Sequence, residues 1–325
     1  MSAVPLRRWF LSLGCACLVA GPAGAQQAYP SKPVQIVVPF GPAGSVDITV
    51  RIIAPSLQAR LGEPVVILNR PGGGTTIGMN VVAAAAPDGH TLGAASFAFA
   101  VNPYVLERLP YDTLKDFEPV TMVARSAAVM VVNPSLPVKT VTEFISYAAA
   151  RPGELNYGSV GVASSGHLIT SLFETLTGIK MTHVPFTGSS PLPPLVAGQI
   201  QLQFSPIPTA LPFIRSGKLV ALGVTSLQRD PTLPEVPPIA ETVKGFEAYE
   251  WPSLVAPAGT PREIINRLHQ EVVKVLAEPE VKTRLLAAGS IPAGMPPQEF
   301  GAFIRKEMAA WEKVARGVRE GEKGR

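Results

Sequence analysis

Two short segments concentrate the residue types that can hold an anion without a metal or a fixed cation. Pro39-Phe40-Gly41-Pro42-Ala43-Gly44-Ser45-Val46-Asp47 joins a β-branched run to a helix-length amphipathic stretch, and Ser159-Val160-Gly161-Val162-Ala163-Ser164-Ser165-Gly166-His167 does the same further along. The first turn of a helix has main-chain N–H groups with no intrahelical partner and carries the positive end of the helix dipole, so it attracts anions. Glycine there lets a ligand reach the backbone, and serine adds a donor. Phe40, Gly41, Gly44 and Ser45 are therefore candidate ligand contacts, as are Ser159, Gly161, Ser164, Ser165 and His167. Asp47 is read as support for its helix start, because a carboxylate favours that position but repels an anion. The plainer alternative makes each segment an ordinary strand-to-helix turn, with Ser45, Asp47, Ser164 or Ser165 as caps and His167 as a packing residue.

Weaker candidates follow other strands: Ser96 and Phe97, Thr187 after Pro185-Phe186, and Ser205 after Gln203-Phe204. In open α/β sheets ligands sit beyond the carboxyl ends of strands, so such loops are expected to converge. Enzyme chemistry finds less support. His90, His167, His183 and His269 show no metal-ligand spacing, no Gly-x-Ser-x-Gly occurs, and Gly72 to Gly74 lack the Lys-Ser or Lys-Thr of a phosphate loop. A hydrolase pairing Ser164 or Ser165 with His167 is the enzymatic alternative, and it lacks a third orienting group. No catalytic residue, metal site or cofactor is expected.

The elements that must position these loops read as an α/β fold. Strand-like Val34 to Val38, Val65 to Leu68 and Thr91 to Ser96 alternate with helical Ser45 to Leu61 and Thr75 to Ala86. A second series runs Val129 to Val132, a helix whose Thr140 and Glu143 have capping-box spacing, Asn156 to Ser159, a helix from about Ser164 to Leu176, and Leu219 to Val224. Pro55 inside the first helix predicts a kink or a late start. Amphipathic stretches Arg262 to Leu276, Glu280 to Ala288 and Pro297 to Val318 need a surface to cover, and returning to the first lobe is the economical solution. The expected architecture is a two-lobed, periplasmic-binding-protein-like fold of the type II class: lobe 1 from 26–126 and 228–325, lobe 2 from 127–227. Crossings are expected near Ala124 to Ala128 and Thr225 to Arg229.

Arg7 and Arg8, an apolar run from Trp9 to Ala20 and an Ala-x-Ala site ending at Ala25 make residues 1–25 a secretory signal peptide. Both cysteines, Cys15 and Cys17, lie within it, so the exported chain has no disulfide or thiolate chemistry; neither sits in a lipidation context. Removing Arg7 and Arg8 from the 28 basic residues leaves 26 against 24 acidic ones, near +2, with no basic stripe, which argues against nucleic-acid binding.

Ordered motifs then narrow the reading. Tyr29 to Pro33, Val-Pro-Phe with Asp47, Asn69 to Gly72, Ala86 to Gly89, Leu109 to Asp112, Val132 to Pro137 and Ala256 to Pro261 together resemble the Bug-type solute receptors of tripartite tricarboxylate transporters, from about Tyr29 to Val318. The resemblance implies a monomeric periplasmic receptor that closes on a small organic carboxylate and delivers it to membrane permease subunits. It implies Phe40, Gly44, Ser45 and Asp47 in one lobe and Ser159, Gly161, Ser164, Ser165 and His167 in the other. A periplasmic sensory protein that signals ligand presence is the alternative role. Three departures from the family pattern, at Ser45-Val46, Val162-Ala163 and Ser205, point to a less polar, less negative pocket and a ligand with an apolar or aromatic body.

Overall fold

A computed structural model describes Met1 and residues 29–162, 164–186 and 190–323. The signal segment with Cys15 and Cys17, and Thr187, lie outside the described residues.

The first half follows the expected alternation. Strand β1 (Val34–Val38) leads to helix α1 (Ser45–Leu61), β2 (Val65–Asn69), α2 (Thr76–Ala83), β3 (Thr91–Ala95), α3 (Phe97–Val105) and β4 (Phe117–Met122). The second sheet begins with β5 (Ala124–Val132), followed by α4 (Val141–Ala149), β6 (Asn156–Ser159), α5 (Ser165–Thr177), β7 (Thr182–Pro185), α6 (Leu192–Val196), β8 (Leu202–Pro206), α7 (Ile207–Arg215) and β9 (Val220–Val224). The chain closes with β10 (Tyr249–Glu250), β11 (Ser253–Pro257), α8 (Arg262–Ala277), α9 (Pro279–Ala287), β12 (Ile291–Pro292) and α10 (Pro297–Lys323).

Local chemistry explains the ends. Gly62 and Gly178 close α1 and α5 in the left-handed conformation that glycine adopts without Cβ strain. Thr140 accepts from the Glu143 N–H at 3.1 Å while the Glu143 carboxylate accepts from the Lys139 N–H at 2.7 Å, starting α4 as the spacing predicts. Helix α1 begins at Ser45 and runs through Pro55, so the late start does not occur. Helix α3 was not legible: its Phe-Ala-Phe-Ala-Val opening is buried on all sides, which erases amphipathic periodicity, and Pro103 lies inside it.

One sheet has the order β2-β1-β3-β11-β4; in the other, β10-β5-β8-β6-β7 is joined by β9 and β12 on β5. Strands β1, β2 and β3 are parallel, as are β6, β7 and β8. The buried, β-branched β1 suits a parallel sheet covered on both faces. One apolar block packs α1, α8 and α9 on the first sheet. A second runs across both sheets through Phe97, Trp251, Phe173, Phe204, Phe246 and Trp311.

The crossings differ in part from expectation. The first lies at Val123, between β4 and β5. The second lies at Trp251 and Pro252, not at 225–229, because β10 still pairs with β5 (Glu250 opposite Ser126) before β11 joins the first sheet (Ser253 opposite Ala95). Fully buried Trp251, edge-on to Phe300 and Phe303 of α10 at 6.0 and 5.5 Å, pins that crossing.

Helix α2 approaches the loop after β1 with no side chain between them: a Cβ on Gly78 would stand 2.8 Å from the Arg70 carbonyl oxygen and from Pro39. Gly78→Ala should therefore cost about 1 to 3 kcal/mol through forced backbone displacement. Urea unfolding should show a lower midpoint with an unchanged slope.

Candidate interlobe anion site

The register fixes where the loops meet. Parallel strands β1, β2 and β3 end at the loops before α1, α2 and α3, and β3 ends beside the Trp251-Pro252 crossing through Ala95 and Ser253. In the other sheet, Ala128 of β5 lies opposite Pro206 at the end of β8, so β6 and β8 end next to the same crossing. The starts of α1 and α3 from one sheet and α5 from the other thus lie toward the same crossing.

These starts carry no side-chain caps. Gly44, Ser96 and Ser164 occupy the N-cap positions of α1, α3 and α5, and none makes a side-chain hydrogen bond to its first turn. The expected capping serines therefore leave the first-turn N–H groups to another partner. Ser164 instead donates its hydroxyl to the Gly161 carbonyl at 2.7 Å, closing the loop.

Asp47 shapes the first loop. Its carboxylate accepts from the Ala43 N–H at 2.9 Å, the Arg51 guanidinium at 2.9 Å and the Asn69 amide at 2.8 Å, and Asn69 also donates to the Phe40 carbonyl. Burial alone would raise its pKa, but the hydrogen bonds from Arg51, Asn69 and Ala43 prevail and hold it below the ordinary carboxylate value. Arg51 and Asn69 were not singled out as functional; the Asp-Arg spacing of four on one helix was the available signal.

Backbone strain marks the same cleft. Among the described residues, the non-glycine positions with positive φ are Ala43 (64°) and Thr75 (81°), in the loops before α1 and α2. Left-handed backbone is costly for threonine, and such strain gathers at ligand sites. Asn102 holds Thr75 in place by donating to the Gly74 carbonyl at 2.7 Å and the Thr75 hydroxyl at 3.1 Å. The Gly72 to Gly74 segment leads directly into Thr75, and the Gly74 carbonyl takes the Asn102 amide.

Several expected contacts are turned inward. The fully buried ring of Phe97 packs edge-on to Trp311 at 4.6 Å, which corrects its place as a side-chain contact: it belongs to the core. Buried Ser205 shares a 2.9 Å hydrogen bond with Thr209, which ties its hydroxyl into the turn before α7. Ser159 donates to the Gly161 carbonyl at 2.9 Å, accepts from its N–H at 3.1 Å, and lies 2.7 Å from Nε2 of His183. His167 is buried and stacks on His183 with ring centroids 3.8 Å apart. A serine-histidine contact in the second lobe joins Ser159 and His183, and it organises the loop from within.

Val160 and Val162, by contrast, stand 51% and 39% exposed beside Gly161. Glu250 adds an acid that the sequence reading did not place near this site. It is 5% exposed on β10, and the Ser165 side chain at the start of α5 is close enough to act on its carboxyl. Burial raises its pKa to about 7. A lone acid before a tryptophan gave no motif to find it by. Among the described residues, no cluster of histidine, cysteine, aspartate or glutamate could hold a metal ion.

Two facing lobes with uncapped helix starts at their crossing define a solute-binding protein. Residues 49–319 match the model of the tripartite tricarboxylate transporter family receptor, and the chain belongs to that family. BugT of Bordetella pertussis is 36% identical over 302 residues, covering 92% of each chain. A Pseudomonas sp. (strain P51) protein from the tcbD-tcbE intergenic region is 38% identical over 290 residues, 88% of this chain and 86% of that one. Among solved structures, an R. palustris protein with adipate has a TM-score of 0.85 at 38% identity, covering 89% of this chain and 98% of that one. MatC from Rhodopseudomonas palustris with bound malate has a TM-score of 0.82 at 33% identity, covering 88% and 100%. The family is one of receptors, not of enzymes. No helix among the described residues is long and apolar enough to cross a membrane.

Asp47→Asn should lower stability by about 1 to 3 kcal/mol through weakened charge-assisted hydrogen bonds. A depressed carboxylate pKa gives stability that is present above the unfolded value, 3.8, and is lost as pH falls through the lower folded value. The gap between wild type and variant in urea unfolding should therefore be full at pH 7 and shrink towards pH 2.

Proposed function

We propose that this chain is a periplasmic receptor that takes a small organic carboxylate between its lobes and presents it to the permease subunits of a tripartite tricarboxylate-type transporter. The observation that carries the reading is the set of uncapped helix starts from opposite lobes, where main-chain N–H groups face the same crossing. Two such starts supply about 1 to 2 kcal/mol each in partly buried geometry, and charge-assisted hydrogen bonds about 1.5 to 3 kcal/mol each. A micromolar complex, about 8 kcal/mol, is within reach without an arginine clamp.

The relatives solved with adipate and malate support a carboxylate as the ligand class. The exposed valines beside Gly161 favour a ligand with an apolar body between its polar ends, because an exposed apolar loop in a cleft gains from desolvation when the lobes close. The chain up to Val123 together with the chain from Pro252 onward forms one proposed lobe and 124–251 the other, and the receptor acts as a monomer.

Replacing both Ser164 and Ser165 by alanine should weaken binding of the best dicarboxylate by roughly tenfold while the fold survives, because one hydroxyl fixes the loop and the other lies at the first turn of α5. Calorimetry on a panel of dicarboxylic, aromatic and amino acids checks this. Unchanged affinity places the site elsewhere, and a response to aspartate or glutamate alone rejects the apolar-body reading.

A further inference from the structure

Glu250 sits where the proposed ligand must arrive. It lies on β10 opposite Ser126 of β5, one residue before the crossing, buried and within reach of the Ser165 side chain at the start of α5. The N-cap Ser164 makes no side-chain hydrogen bond to the first turn of α5, which leaves that turn open to a ligand. The Glu250 position is buried, and among the described residues no cation is named among the groups that act on it. Strand alternation puts Arg125 and Tyr249 on the other face of the ribbon, where the guanidinium covers the ring at 3.9 Å. On α5, His167 is stacked with His183. On α10, Glu307 reaches Trp251 and Arg125, with Lys306 and Glu247 near it. The influences on the Glu250 carboxyl are burial, the larger, and Ser165.

Two anions cannot share one buried helix start without a cation between them, because their repulsion is strong where water is excluded. We infer that Glu250 makes ligand capture proton-linked: the ligand carboxylate docks at the start of α5 when the Glu250 carboxyl is protonated, and the neutral acid then donates a hydrogen bond. This rests on the receptor reading given above and assigns the residue that tunes that site. The carboxyl's raised value, about 7, places the exchange near neutral pH.

The sign follows from linkage. A raised acid pKa disfavours the folded state as the carboxyl ionises: the cost is absent below about 4.5 and complete above about 7. Glu250→Gln should accordingly be more stable than wild type at pH 8 and no different near pH 4. For the ligand-bound form the same linkage weakens wild-type affinity for adipate or malate by roughly tenfold or more between pH 6.5 and 8.5.

Titration calorimetry tests this with adipate and malate as probes, in two buffers of different ionisation enthalpy at pH 8. The wild type should take up close to one proton on binding, and Glu250→Gln should take up none and bind about tenfold more tightly than wild type at pH 8.5. Zero proton uptake by the wild type overturns the inference, and that measurement needs no variant to fold. Uptake that persists in Glu250→Gln assigns the proton to the histidines and overturns it too. Amino-acid binding that Glu250→Gln abolishes makes the residue an ionised counter-ion instead, and this also overturns the proton linkage. A wild type that binds neither acid at pH 6.5 counts against the receptor reading itself, whereas pH-independent binding removes only the proton linkage.

Discussion

The structure is organised around main-chain N–H groups that the protein itself leaves unsatisfied. A helix start hidden from water without a cap is costly, yet α1, α3 and α5 all begin at the crossing between the sheets with no side chain turned back onto the first turn. What would have served as caps is used otherwise: Ser164 bonds Gly161, and Asp47 bonds the Ala43 N–H just ahead of its helix. Under the proposed function, a bound anion is the partner that these groups await at both lobes.

Around that constraint the remaining polar residues act as scaffolding. Asp47, Arg51 and Asn69 fix one loop through three short hydrogen bonds to a single carboxylate. Ser159 and His183 fix the other from beneath, and Asn102 holds the strained Thr75 at the rim. Under the proposed function, recognition rests on dipoles and hydroxyls with few formal charges, and Glu250, a buried acid with a raised pKa, is the consequential one.

Much of this was legible in the residues. Strand β1, helix α1 and strand β6 lie where β-branched runs, helical periodicity and glycine stops put them, and both anion loops were named from their position between strand and helix. Periodicity failed at α3, because a helix buried on every side has no polar face to mark it. It also failed at the second crossing, since two residues of β10 pairing with β5 are too short a signal to read. Side-chain direction was the larger gap. Nothing local tells whether Phe97, Ser159 or Ser205 points to a ligand or to the core, and nothing local brings Glu250 to Ser165 across many intervening residues. Such contacts are set by tertiary packing rather than by pattern.

The most direct measurement is a crystal structure of the chain with a bound dicarboxylate at pH 6.5. Carboxylate oxygens within hydrogen-bond distance of the main-chain N–H groups at the starts of α1 and α5, with the lobes closed over them, are the predicted result. A ligand seated away from both turns, or held by an arginine or lysine in their place, would contradict the account.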